Sequence, residues 1–226
     1  MFARIILTAV FAGLLAGAFA WGAHMVKTTP LILAAEVYEN AAPAAPQHAP
    51  ATAMPAPQAW EPADGLERNL FTLFADVVAG IGFAFLLAGA IALSGRKVDT
   101  RLGMAWGLAG FAAFFAAPSL GLAPELPGMQ AAGLGARQAW WLATVVVTAA
   151  GIAVIAFAPR PIVKALGVLL LALPHAVGAP SHELTPGPLP AELAAEFAAA
   201  TLVVTGLFWL VLGGLTGYFY RRFERP

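Results

Sequence analysis

The sequence contains no cysteine. That excludes disulfides, thiolate metal sites and cysteine nucleophiles, and it leaves the redox compartment unread. Charge is scarce as well. Only 11% of the 226 residues are charged, against about 25% in a soluble domain. Twelve basic side chains balance twelve acidic ones, so no basic excess points to nucleic acid. No phosphate-binding loop, dinucleotide fingerprint, nucleophile elbow or His-Glu-x-x-His zinc motif occurs, which leaves ATP-driven and hydrolytic roles without support. With no concentrated catalytic set, the chain reads as a non-enzyme.

What the chain has instead is apolar residues, 60% of the total. They show neither a one-sided helical stripe nor strand alternation but lie in continuous blocks. Six blocks stand out: Ile5–Val26, Leu70–Leu93, Leu102–Leu122, Trp140–Ala158, Ala165–Ala179 and Phe197–Phe219. About 20 apolar residues match the hydrocarbon thickness of a bilayer. Helices are the form that satisfies every backbone polar group within the segment. The fold class is therefore all-α: one integral membrane domain over residues 1–226, a polytopic helical bundle with six spans. The fifth block is short and holds Pro174 and His175. It reaches spanning length if Pro161–Val163 join it and Lys164 snorkels.

Charge sets the orientation. With the N-terminus inside, Arg4, Arg96, Lys97, Arg101, Arg160, Lys164, Arg221, Arg222 and Arg225 all fall inside, and only Lys27, Arg68 and Arg137 fall outside. This positive-inside bias places both termini in the cytoplasm. Ala18-Phe-Ala20 resembles a signal-peptidase site, but the apolar run continues to Val26, so the first span is read as retained. Its removal would leave five spans.

Residues 27–69 form the one long outer loop. Its centre, Ala41–Ala59, is rich in alanine, proline and glutamine and reads as a disordered linker. Leu31–Glu39 before it reads as a short interfacial helix. Gly13-x-x-x-Gly17, Gly103-x-x-x-Gly107 and Gly213-x-x-x-Gly217 indicate closely packed helices. The proline-broken outer ends after Pro118 and Pro174, and the matching runs Ala143–Thr148 and Ala200–Thr205, suggest tandem two-helix repeats. On that reading the third–fourth and fifth–sixth hairpins are equivalent.

The acidic residues are skewed outward. Glu36, Glu39, Glu61, Asp64, Glu67, Glu125, Glu183, Glu192 and Glu196 lie outside, while Asp99 and Glu224 lie inside. Such a surface concentrates cations at the mouth of a pathway, or is simply a solvated face. Asp76 lies within the second span, where a carboxylate is costly and is functional by default if it faces the bundle interior. The four histidines, His24, His48, His175 and His182, also sit in outer halves or outside. Imidazole and carboxylate suit divalent cobalt, nickel or zinc. The candidate metal-contacting set is His24, Asp76, His175, His182 and Glu183. His24 and His175 are expected to approach one another near the outer end of Asp76's helix.

Five segments carry a resemblance over nearly the whole chain. They are Pro30-Leu-Ile-Leu-Ala-Ala-Glu-Val-Tyr-Glu39, Trp60-Glu-Pro-Ala-Asp-Gly-Leu-Glu-Arg68, Pro124-Glu-Leu-Pro-Gly-Met129, Arg137-Gln-Ala-Trp-Trp141 and Leu173-Pro-His-Ala-Val-Gly-Ala-Pro180. In order and spacing the chain resembles the CbtA family, the membrane component of the predicted cobalt transporter CbtAB. The resemblance implies five or six helices, a link to cobalt supply, and a small single-span CbtB-like partner with a histidine-rich metal-binding tail. Cobalt would be transported substrate, with no resident cofactor. His48 alone represents histidine in the first outer loop, where the family pattern carries more. The alternative is a non-transporting scaffold or assembly subunit of a membrane complex.

Overall fold

The computed structural model describes residues 1–41, 60, 62–181 and 189–224. Seven helices account for the regular structure of these residues: α1 Phe2–Lys27, α2 Thr29–Ala41, α3 Leu66–Ser94, α4 Thr100–Ser119, α5 Leu134–Phe157, α6 Pro161–Val177 and α7 Ala191–Arg222. Five of them, α1, α3, α4, α5 and α7, are long and apolar enough to cross a membrane. α6 has 17 residues, roughly 25 Å of helix at 1.5 Å per residue, a little short of the roughly 30 Å hydrocarbon core. Pro161 starts it at the first turn, where a missing N–H costs nothing. Gly178 stops it with a φ of 85°, which a side chain would resist.

Both termini lie at one end of the bundle. Arg4 Nε donates to the Tyr220 carbonyl oxygen at 2.6 Å, and its guanidinium lies 3.7 Å from the Tyr220 ring centre. Ile91, Val98 and Tyr220 pack together at that end with Ile5, and Arg96 reaches Phe157 at the foot of α5. The connections 95–99 and 158–160 therefore share the termini's side. α2 lies at the other end, where Ala35 packs with Leu126 and Phe197. Pro30, in the first turn of α2, starts the new helix, and the Thr28 carbonyl accepts from Leu31 and Ile32 N–H.

Glycine sets the packing. In lipid there is no hydrophobic drive between helices, so close van der Waals fit matters more. α1 meets α3 where Gly13 and Gly17 face the backbone of Val77, Gly80 and Ile81. α4 meets α7 where Gly103 and Gly107 face Gly213 and Gly217. A Cβ on Gly103 would stand 2.3 Å from the Gly213 oxygen, and one on Gly213 would stand 2.4 Å from the Gly103 oxygen. α5 meets α6 through Gly151 and Gly167. The three glycine-x-x-x-glycine pairs are thus all at contacts.

The centre of the bundle is a layer of Ala9, Ala12, Ala16, Ala84, Leu87, Phe208, Trp209 and Leu212. Trp209 is 2% exposed and packs against Phe83 and Phe114, with ring centres 4.8 and 5.7 Å away. Gly110 makes room for its indole. α4 passes through a π-helical turn at Ala112–Ala116 just before Pro118. Proline there has no N–H and crowds the carbonyl four residues back, and the wider turn relieves both.

The packing corrects the expected tandem hairpins. α4 and α5 meet mainly around the π turn and the C-terminal end of α4, while α6 and α7 make no contact with one another. The close pairs are α1–α3, α4–α7, α5–α6 and α1–α7. The similar letters of Ala143–Thr148 and Ala200–Thr205 therefore do not correspond to a shared helix–helix crossing. The expected linker 41–59 lies outside the described residues, apart from Ala41, which ends α2.

Candidate functional site

The polar chemistry inside the bundle gathers between α1 and α3. Gly17 lets the α1 backbone come close to the α3 backbone at Asp76 and Val77. One turn or two above, His24 turns towards α3. Its Nδ1 lies 3.0 Å from Asp76 Oδ2, and the two side chains are 29% and 17% exposed. Asp76 therefore faces a partner within the bundle, as expected for a carboxylate in an apolar span. An ionised carboxylate only accepts, so it fixes the proton of a neutral imidazole on Nδ1. That leaves the lone pair of Nε2 free to bind a ligand. A carboxylate behind a histidine is the common second layer of a metal-binding imidazole: it sets ring orientation and raises basicity.

His24 opens onto a cavity of about 230 Å³ at the end opposite the termini, shared by α1, α2, α3 and α7. Its polar lining comes from Thr28 and Thr29 at the α1–α2 corner, Asn69 and Thr72 on α3, and Thr201 on α7. Met25 adds a thioether. The Thr28 hydroxyl points back to the His24 carbonyl at 3.4 Å, and the Thr72 hydroxyl donates to the Arg68 carbonyl at 2.9 Å. The Thr201 oxygen is buried without a hydrogen-bond partner. Asp76 stands behind the imidazole and does not line this cavity.

Arg68 lines the same cavity and is held in place. Both of its terminal nitrogens donate to the two Glu36 oxygens, a bidentate fork, and Nη1 also reaches Asp64 at 3.1 Å. Below the cavity the alanine and aromatic layer is buried, and Thr8 and Thr216 are among the fully buried hydroxyls of the described residues.

A larger cavity of about 620 Å³ lies between α4 and α5, also at the end opposite the termini. It contains the Glu125–Arg137 ion pair, with Nη2 to Oε2 at 2.7 Å, among Phe114, Pro118 and Trp141. It holds no histidine.

The structure separates residues that the sequence reading had joined. α1 and α6 are not in contact, so His175 does not approach His24. Its ring lies edge-on to Trp140, with centres 6.4 Å apart. The reason is the packing partner of α6, which touches α5 and no other helix among the described residues. His48, His182 and Glu183 lie outside the described residues. Among the described residues no three His, Asp or Glu side chains converge as a metal site. The sequence reading missed Arg68, Asn69, Thr72 and Thr201 as neighbours of His24. Polar residues near helix ends look like ordinary interfacial residues, and only Glu36 and Arg68, both inside resemblance segments, carried a signal.

A family model described as a probable cobalt transporter subunit, CbtA, matches residues 2–221. No curated protein and no solved structure matches the chain. The chain belongs to the CbtA family.

Proposed function

We propose that this CbtA-family chain is the membrane path of a divalent-cation uptake system, with cobalt as its cargo. The observation that carries the reading is the His24–Asp76 pair, held at 3.0 Å within apolar helices and opening on a polar cavity. The cation enters past the outer acids, drawn by their field. It exchanges water for His24 Nε2 and the oxygens of Asn69, Thr72 and Thr201. Asp76 orients the imidazole and supplies the negative charge that offsets the ion. One nitrogen ligand with neutral oxygens makes a weak site, which suits an ion that must leave again. The closed alanine and aromatic layer beneath makes this an outward-open, inward-closed arrangement.

The family description as a subunit supports a partner, for which we propose a small single-span protein with a histidine-rich tail. We place both termini in the cytoplasm, because the end that holds them also carries Arg4, Arg96, Lys97, Arg221 and Arg222.

The test is cobalt uptake into proteoliposomes holding the chain, with and without the partner. Uptake that needs the chain supports the reading. No uptake in either case, with both proteins folded, favours the scaffold role instead.

A further inference from the structure

The termini end of the bundle has a second feature that ion passage does not use. No Cα of α3 comes within 8 Å of one of α5. Between them, with α4 recessed as a floor, runs an apolar cleft of about 400 Å³. Small side chains leave the space open: Ala90 on α3, Ala105 and Ala109 on α4, Ala153 and Ala156 on α5, with larger apolar side chains such as Leu86 and Ile152 beside them. At its mouth on the termini side stands Arg96. The guanidinium lies 4.5 Å over the Phe157 ring, and Nη2 is 3.5 Å from the Ala156 carbonyl oxygen.

Arg96 has no carboxylate partner among the described residues. The two described acids on that side are engaged elsewhere. Asp99 accepts the Leu102 N–H at 2.8 Å and caps α4, and Glu224 pairs with Arg4 at 3.4 Å. A cation without a carboxylate partner among the described residues therefore tops an apolar slot.

We propose that this cleft binds a membrane phospholipid, with one acyl chain between α3 and α5 and its phosphate on Arg96. Basic pockets between membrane helices take phosphate headgroups on this principle, and the planar guanidinium matches two phosphate oxygens. The charge at the mouth selects a phospholipid over a partner helix, because an apolar helix face offers no anion to Arg96. The bound lipid fills the gap between α3 and α5.

The experiment uses the full chain in mild detergent, with phosphatidylglycerol added and counted by native mass spectrometry. One tightly held equivalent is expected. Arg96→Ala should weaken it about tenfold, the loss of a charged hydrogen bond. Ala153→Phe should fill the slot and abolish it. Ala153 is exposed in the cleft, so helical content by circular dichroism should stay unchanged. Diacylglycerol, which lacks the phosphate, should bind no better than the Arg96→Ala protein binds phosphatidylglycerol. The proposal is overturned if no lipid is retained, if either variant retains it as the parent does, or if diacylglycerol binds equally. It is also overturned if a benzophenone side chain at position 153 crosslinks in native membranes to protein and not to lipid. None of these outcomes depends on cobalt transport.

Discussion

Arg68 and Glu36, 32 residues apart in sequence, meet as a two-pronged ion pair at the rim of the His24 cavity. The pair joins the first two of the five segments that carry the family resemblance. Glu125 and Arg137 join the next two in the same way, and Trp140 meets His175 of the fifth. Segments remote in the chain thus meet at the end of the bundle opposite the termini.

Arg68→Glu should repel Glu36 and lower the melting temperature of the detergent-solubilised protein. The double variant Glu36→Arg with Arg68→Glu should recover most of the loss. A coupling energy of about 1 kcal/mol is expected for a half-buried fork. Additive single effects would mean the contact is incidental.

Close helix approach makes a graded prediction. Gly213→Ala puts a Cβ 2.4 Å from the Gly103 oxygen, whereas Gly89→Ala meets nothing within 4 Å. The first should destabilise by about 1–3 kcal/mol through overpacking. The second should be neutral or stabilising by about 1 kcal/mol, since alanine is the better helix former. Thermal unfolding followed by size-exclusion chromatography separates them. Equal effects would contradict the packing described.

Orientation is checked by labelling. A cysteine at Lys97, on the termini side, and one at Ala51, in the sequence-predicted outer loop, should react with an impermeant maleimide from opposite faces of the membrane. The absence of native cysteine makes the readout clean. Labelling from one face would overturn the topology.

The architecture was largely legible in the sequence because bilayer thickness writes itself into block length. All six apolar blocks lie on helices, Pro161 joins the fifth, and the short helix expected at Leu31–Glu39 is the core of α2. The glycine pairs were legible as contacts, but not their partners. Gly103-x-x-x-Gly107 carries no mark that it will meet Gly213-x-x-x-Gly217 in place of the next helix along. For the same reason Asp76 could be read as facing inward, yet His175 was assigned to the wrong neighbour. Depth in the membrane follows from sequence position, whereas azimuth around the bundle follows from packing. Thr201 entered the cavity by that second rule, from a helix more than a hundred residues beyond Asp76.

The central claim is that Asp76 serves cation passage through His24, and cobalt uptake by Asp76→Asn in proteoliposomes tests it most directly. Asparagine keeps the shape of the side chain and a hydrogen bond to His24, so expression and melting temperature should hold. Initial uptake should fall at least about tenfold, since the ion loses a charged partner worth about 1.5–3 kcal/mol. Uptake equal to the parent protein's, at the same protein content, would contradict the account.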